Sequence, residues 1–236
     1  MAASLQRRRR QGGTQILEFA LVAMLYAPLL LGTFVTGMNL VRSNQVNQVC
    51  RDLADMYIHG ADFSTYSMQQ LAQRLAFGLN LQIGASFTGN QSSNTGNGGD
   101  GLVTITQTMY VGTTTDPNCV AVGASSCTNH DNFVYTQRID LGNATMAAQS
   151  PPTMGTPASG MVLSAAGIVQ NPVTDVKAQL PAGAQTAMKN LWQVSSGGQT
   201  PLVDGQVVYV VEFYVSSASL SMGSFPGKGV YARYFF

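Results

Sequence analysis

A single acidic residue lies at the start of a long apolar run. Glu18 stands near its beginning, and the run continues to about Val41. A carboxylate near a membrane core costs about 2.5–3.5 kcal/mol unless it is paired, so Glu18 needs a cationic partner. Cleavage after Gly13 would give Thr14 an α-ammonium group four residues before Glu18, on the same helical face. That amine would neutralise Glu18 in its own chain or in a neighbouring one; alternatively, Glu18 lies at interfacial depth and stays hydrated.

The apolar run must form the element that positions these groups. Between Ile16 and Val41 an α-helix would be about 39 Å long, enough to cross a hydrocarbon core of about 30 Å with some tilt. The alternative is a secretory signal peptide, whose apolar part is usually shorter and ends at a small-residue cleavage site. The run is longer than that, and no such site closes it cleanly. The sequence therefore predicts a transmembrane anchor.

The charges around the anchor predict its orientation. Arg7 to Arg10 form a basic cluster without acidic compensation. The far side mixes both signs, at Arg42, Arg51, Asp52 and Asp55. Because basic residues are retained on the cytoplasmic side, the N-terminus should be cytoplasmic. Charged residues make up only 10% of the chain and its net charge is +1. Since phosphate binding needs clustered Lys and Arg, we predict no nucleic-acid partner.

The N-terminal motif resembles a known processing site. Gly13, followed by Glu18-Phe19 and then by an apolar helix, resembles the processing site of type IV prepilins. Within that group, residues 15–22 and 28–31 are similar to TadE-like minor pilins of Tad (Flp) pilus systems. Residues 51–57 and 60–64 also resemble the segment after the anchor in one branch of TadE-like proteins. The specific part of the resemblance ends at Ser64.

The resemblance implies how the anchor is processed and used. In type IV prepilins a membrane aspartyl peptidase cuts after the glycine, and the glutamate pairs with the new N-terminus of an adjacent subunit during assembly. By this resemblance Gly13 precedes the cut, Thr14 supplies the amine and Glu18 guides docking, and Phe19 belongs to the same cleavage and assembly motif. The pair Gly12-Gly13 leaves the cut site ambiguous by one residue. The implied partners are a membrane, a prepilin peptidase and other pilin subunits, the last through the N-terminal helix.

Past the anchor, apolar residues recur at spacings of three and four. They are Val46, Val49, Leu53 and Met56. This period is typical of an α-helix, so the helix should continue to about His59, and Gly60 would end it. The apolar stripe would pack on the protein's own outer domain or, alternatively, on neighbouring subunits.

The chain from Ala61 onwards is long enough to bury a core as one domain. Helical spacing predicts helices over residues 67–81 and 182–191, whereas the polar run 91–101 predicts a loop. β-branched and alternating patterns predict four antiparallel strands, over residues 102–111, 133–141, 207–215 and 230–236.

These elements define the predicted fold class. We expect an α+β protein, in which a long N-terminal transmembrane, pilin-like helix precedes an extracytoplasmic domain with a short helix and an antiparallel β-sheet. The predicted divisions are a cytoplasmic basic leader at 1–13, the anchor helix with its extension at 14–60, and the outer domain at 61–236.

The three cysteines predict one disulfide. Cys119 and Cys127 bracket a short loop, and outside the cytoplasm such a pair oxidises. Zinc is the rival interpretation, but the only histidines are His59 and His130, and the chain has no Cys-x-x-Cys. We therefore predict no metal and no cofactor. Cys50 is either a free thiol, which we favour, or a bridge between two subunits.

The outer domain shows no catalytic constellation. Neither histidine stands in a triad context, and the sequence has no Gly-x-Ser-x-Gly elbow and no phosphate-binding glycine loop with a lysine. His130-Asp131 is interpreted as a polar turn. Glu212, in a predicted strand, is either a buried carboxylate or, as is commoner, an exposed one or a partner of Arg138 or Arg233. We predict that the protein is not an enzyme.

The predicted function is that of a TadE-like pseudopilin, a structural or assembly component of a Tad/Flp-type pilus. It would be a single-pass protein of the bacterial inner membrane, with its C-terminal domain periplasmic, extracellular or in a pilus. The alternative is a permanently membrane-tethered extracytoplasmic binding or adhesion module. A third interpretation, a secreted protein with a signal peptide, requires removal of the apolar run itself.

Overall fold

The longest element is helix α1, Ala2–Ile58, in the computed structural model of the protein. It belongs partly to each of the two units into which the chain divides, Met1–Arg42 and Ser43–Phe236. The structure describes residues 2–84, 93–96, 98–149, 153–192, 202–216 and 229–236. The side chains of residues 2–14, 94, 148, 149 and 192 lie outside this description.

The second unit contains the other helices and the β-strands. The helices are α2 (Tyr66–Leu75), α3 (Pro117–Val122), α4 (Met146–Gln149) and α5 (Ala182–Trp192), and 3₁₀ turns span Phe77–Leu79, Ala124–Ser126 and Val176–Ala178. The strands are β1 (Ser93–Gly96), β2 (Gly101–Val111), β3 (Asn132–Asn143), β4 (Val207–Val215) and β5 (Val230–Phe235). A long apolar helix together with a sheet and further helices confirms the α+β class.

The strands form one mixed sheet of five, in the order β1-β3-β2-β4-β5. The four predicted strands are β2 to β5, and their neighbours are antiparallel. The prediction of a purely antiparallel sheet is wrong, because β1 pairs in parallel with β3. The loop predicted over 91–101 is wrong at residues 93–96, which form β1, and at Gly101, which begins β2; residues 91, 92 and 97 lie outside the described residues. An edge strand is held by backbone hydrogen bonds on one side only, so its Ser-Asn-Thr-Gly sequence needs no apolar alternation.

The part of α1 in the second unit packs on one face of the sheet. Val46, Leu53 and Ala54 are buried in one hydrophobic cluster with strand residues such as Ile139 and Val211. The predicted stripe therefore packs on the protein's own domain. Apolar burial of this kind is the main force that fixes a helix on a sheet.

The C-terminal end of α1 has the termination that the sequence predicts. Gly60 adopts a left-handed conformation with φ of +88°. Its N–H donates to the carbonyl of Tyr57, and the N–H of Ala61 donates to that of Met56. These bonds satisfy carbonyl groups that the end of a helix leaves open. The Tyr57 hydroxyl also donates to Gln137 Oε1 at 2.7 Å, which fixes the last turn to strand β3.

Helix α2 is shorter than the helix predicted over residues 67–81. It ends at Leu75 and is followed by the 3₁₀ turn Phe77–Leu79, after which Asn80 has a left-handed φ of +53°. Asn is one of the few residues that tolerates this conformation, so the chain leaves the helix there. Ala72, Ala76 and Leu79 belong to the same core cluster as α1.

The opposite face of the sheet has its own core. Val210 and Val211 are neighbours on β4 but belong to different clusters, as expected for a strand buried on both faces. The second cluster joins strand residues such as Tyr135 to Leu180 and to Met188 of α5. This face is therefore covered by the chain between β3 and β4.

Candidate functional site

The apolar segment, residues 15–41 of α1, carries an unusual amount of exposed apolar surface. Fifteen large apolar side chains in it are exposed: Ile16, Leu17, Phe19, Leu21, Val22, Met24, Leu25, Tyr26, Leu29, Leu30, Leu31, Phe34, Met38, Leu40 and Val41. The exposed fraction is 76% for Phe19 and reaches 80% for Met24. Among the described residues, the stretch Gln15–Ile58 is the one helix long and apolar enough to cross a membrane.

This exposure is too large for a surface that faces water. Full burial of a Val, Leu or Phe side chain is worth about 1.5–3 kcal/mol, so covering fifteen partly exposed ones yields on the order of 20 kcal/mol. Folded monomers rarely expose apolar patches larger than a few hundred Å². The apolar segment is therefore a candidate membrane span by its length, composition and exposure.

Glu18 is the only charged residue of the apolar segment. It is exposed, and so is its neighbour Phe19. Gly13 and Thr14 are helical in backbone, but their side chains lie outside the described residues. In a continuous helix the backbone nitrogen of Thr14 is one turn before Glu18, on the same side. The spacing needed for an ion pair after cleavage is therefore present.

A group of polar side chains lies on the sheet. Four cross-strand partners form a row, here the polar row, which consists of Asp140, Thr104, Glu212 and Arg233 on β3, β2, β4 and β5. Thr104 and Glu212 are buried, and Thr104 Oγ1 donates to Asp140 Oδ1 at 2.8 Å. Burying a polar group is costly unless it is hydrogen-bonded, so the polar row needs hydrogen-bond partners in the chain that covers it.

Glu212 accepts hydrogen bonds from residues in two other segments of the chain. Its Oε1 accepts from the N–H of Thr153 at 2.6 Å, from Thr153 Oγ1 at 2.5 Å and from the Tyr231 hydroxyl. Arg233 donates to the same Thr153 hydroxyl at 2.5 Å. Burial, and then the adjacent carboxylate, raises the pKa of Tyr231 far above its ordinary value. The expectations of an exposed Glu212, or of a direct pair with an arginine, are wrong.

Arg138 instead pairs with Asp140 on its own strand. Its Nε donates to Asp140 Oδ1 at 3.1 Å, and its guanidinium also donates to the carbonyl of Gly155 at 3.1 Å. Together with Glu212 and Thr153, this arrangement fixes the covering chain on the sheet. Beside the pair is a cavity of about 160 Å³, which is lined by Arg138, Asp140, Thr104 and Thr156 among others. It would admit a small polar molecule.

No protein-family model, no curated protein and no solved structure matches this chain.

The cysteines fall into two different environments. Cys119 and Cys127 form a disulfide across α3 and the following turn. Cys50 is free and completely buried under the sheet, with its Sγ 3.3 Å from the carbonyl oxygen of Val211. A bridge between subunits through Cys50 would require the core to open. In the part of the chain that the structure describes, no three His, Cys, Asp or Glu side chains are close enough together to hold a metal ion.

Three residues with structural roles in the second unit were missed by sequence reasoning. Tyr231 lies two residues before Arg233 and thus on the same face of β5, so strand alternation could have placed it near Glu212. Thr153 belongs to a Pro- and Gly-containing stretch without periodicity, and no sequence signal indicates it. Asp204 was also missed: it accepts from the N–H groups of Gly112 and Asn118 at 2.8 and 2.9 Å and so links the end of β2 to α3.

Proposed function

We propose that this chain is a TadE-like pseudopilin, a membrane-anchored structural or assembly component of a Tad/Flp-type pilus. The observation that supports this proposal best is the apolar segment itself, which is exposed and carries one carboxylate near its start. Such a segment can exchange lipid for a bundle of similar helices, because both cover its apolar side chains. The second unit would then be carried as the head of the subunit.

The location of Glu18 supports assembly more than simple anchoring. In a bundle of apolar helices the local dielectric constant is low, so an unpaired carboxylate is costly and a paired one is attractive. Processing after Gly13 would create the matching ammonium group at Thr14. The reaction is performed by a separate prepilin peptidase, and we assign this chain the role of substrate and subunit, with no enzymatic activity of its own.

A permanently tethered binding or adhesion module is the second candidate. It is favoured by the cavity beside Arg138 and Asp140, which would accept a small polar ligand. This candidate explains the apolar segment as an anchor, but it gives no role to a carboxylate at Glu18.

The two candidates are separated by substitution of Glu18 in the native host. We expect Glu18→Ala to be processed and retained in the membrane but to be lost from the assembled pilus fraction. Gln15→Ala, also on the exposed part of the helix, serves as the matched control and should assemble normally. Assembly of Glu18→Ala at the wild-type level, with normal processing, would contradict a docking role for the carboxylate.

A further inference from the structure

Phe77 is the most exposed large apolar side chain among the described residues of the second unit. It is 84% exposed, although it lies in the ordered 3₁₀ turn that follows α2. Ala76, directly before it, and Leu79, two residues after it, are buried in the core. These buried residues fix the backbone of the turn, and the turn holds the aromatic ring of Phe77 outside the core. Leu75 and Arg74 are exposed next to it.

This group of Arg74, Leu75 and Phe77, here the aromatic turn, lies beside the beginning of the second unit. A groove is lined on one side by Gln45, Gln48 and Val49 of α1 and on the other by Leu75, Gly78 and Leu79. Phe77 lies between two of these lining residues in sequence. The aromatic turn is thus adjacent to the first turns of α1 that belong to the second unit.

The length of the chain between the anchor and this groove is short. Gln45 follows the last apolar residue of the apolar segment, Val41, by four residues, or about 6 Å of helix. The headgroup layer on each side of a hydrocarbon core is about 5–7 Å thick, as the difference between a total thickness of about 40–45 Å and a core of about 30 Å indicates. A side chain beside Gln45 therefore lies within reach of lipid headgroups if Val41 marks the edge of the core.

We propose that the aromatic turn is a second membrane contact, in which Phe77 and Leu75 insert into the headgroup layer. This inference rests on the membrane anchoring in the proposed function, but not on pilus assembly. The membrane–water interface favours aromatic rings, and lipid there covers apolar area that water would otherwise contact. The long side chain of Arg74 can keep its guanidinium at the phosphates while its methylene groups lie against lipid.

Charge attraction is not needed for this contact. Asp52 lines the groove, and its Oδ1 lies 3.9 Å from Arg51 Nε, so these two charges compensate each other and Arg74 is the one cationic side chain of the aromatic turn. The lipid is therefore recognised through the apolar ring, and a zwitterionic phosphatidylcholine bilayer is a sufficient probe.

The test is lipid quenching of a single tryptophan in the full chain. The chain has one tryptophan, Trp192, which is first replaced by Phe. In that background Phe77→Trp is compared with Val120→Trp, which is 60% exposed in the disulfide loop, and with Phe34→Trp inside the apolar segment. Each variant is placed, one copy per disc, in nanodiscs of phosphatidylcholine with or without bromine on the acyl chains near the headgroup.

We expect bromination to remove most of the emission of the Phe77→Trp and Phe34→Trp variants and to leave that of Val120→Trp unchanged. Quenching of Phe34→Trp without quenching of Phe77→Trp overturns the second contact and leaves the anchor intact. Quenching of neither variant overturns the anchor itself. Equal quenching of Phe77→Trp and Val120→Trp also overturns the inference, because the contact would not then be specific to the aromatic turn.

Discussion

Replacing Glu212 by Ala tests the interpretation of the polar row as the device that fixes the covering chain on the sheet. The substitution removes an acceptor shared by two donors of Thr153 and by the Tyr231 hydroxyl. Breaking a buried charged network by deleting one member costs about 3–5 kcal/mol. Part of the carboxylate's own desolvation penalty is recovered, so the upper end of that range is not expected.

The magnitude can be measured by thermal unfolding of the full chain in detergent, followed by near-UV circular dichroism of the aromatic residues. For a domain of this size 1 kcal/mol shifts Tm by about 2–4 °C, so Glu212→Ala should lower Tm by roughly 10 °C. The single substitution also leaves a cavity, and that contribution must be separated from the loss of hydrogen bonds.

A double-mutant cycle with Tyr231→Phe makes that separation. In the wild-type background Tyr231→Phe removes a hydrogen bond to a charged group and should cost about 1.5–3 kcal/mol. In the Glu212→Ala background the same change should cost less, because only the 2.9 Å contact of the Tyr231 hydroxyl with Thr153 Oγ1 is then removed. Tyr234→Phe, on the opposite face of β5, is the matched control. A coupling energy below about 0.5 kcal/mol would refute the assigned hydrogen bond, because independent sites show values of that size.

Three further predictions concern the second unit. Burial alone would raise the pKa of Asp204, but the N–H groups of Gly112 and Asn118 hold that pKa below its ordinary value. The contribution of Asp204 to stability is therefore present above about pH 4 and is lost as the pH falls. The difference in Tm between wild type and Asp204→Asn should shrink on acidification. Burial raises the pKa of Tyr135, so stability should fall above about pH 10, where the unfolded chain ionises first, and a Tyr135→Phe variant should show a shallower alkaline decline. Replacing Cys119 and Cys127 by Ser opens a short loop and should cost roughly 2.5 kcal/mol in urea unfolding, whereas no loss would show that the disulfide does not constrain the unfolded chain.

The elements that the sequence predicted correctly are those with a strong period and apolar content. The extension of α1 carries its stripe at a period near 3.6, and strand β4 matches the predicted range at both ends. These segments are buried, and burial imposes a pattern on the sequence. Strand β1 was missed because an edge strand held by backbone hydrogen bonds imposes no such pattern.

The polar row was only partly accessible from the sequence. Alternation in β4 places Glu212 on the face opposite Val211 and Phe213, but it does not tell whether that face is covered. The cover includes Thr153 and Gly155, which lie in an aperiodic part of the chain. Their position depends on long-range contacts, which local patterns do not encode. The apolar segment, in contrast, was predictable as a long apolar helix from its length and composition, and its exposure in the structure distinguishes it from a core helix.

The central claim is that the anchor becomes an assembly element when the leader is removed after Gly13. The most direct measurement is the mass of the N-terminal peptide of the protein isolated from cells with a working prepilin peptidase. The account predicts a mature chain that begins at Thr14, and a chain that keeps its leader in cells without the peptidase. An intact leader in the presence of the peptidase, or a mature chain that begins after the apolar segment, would contradict it.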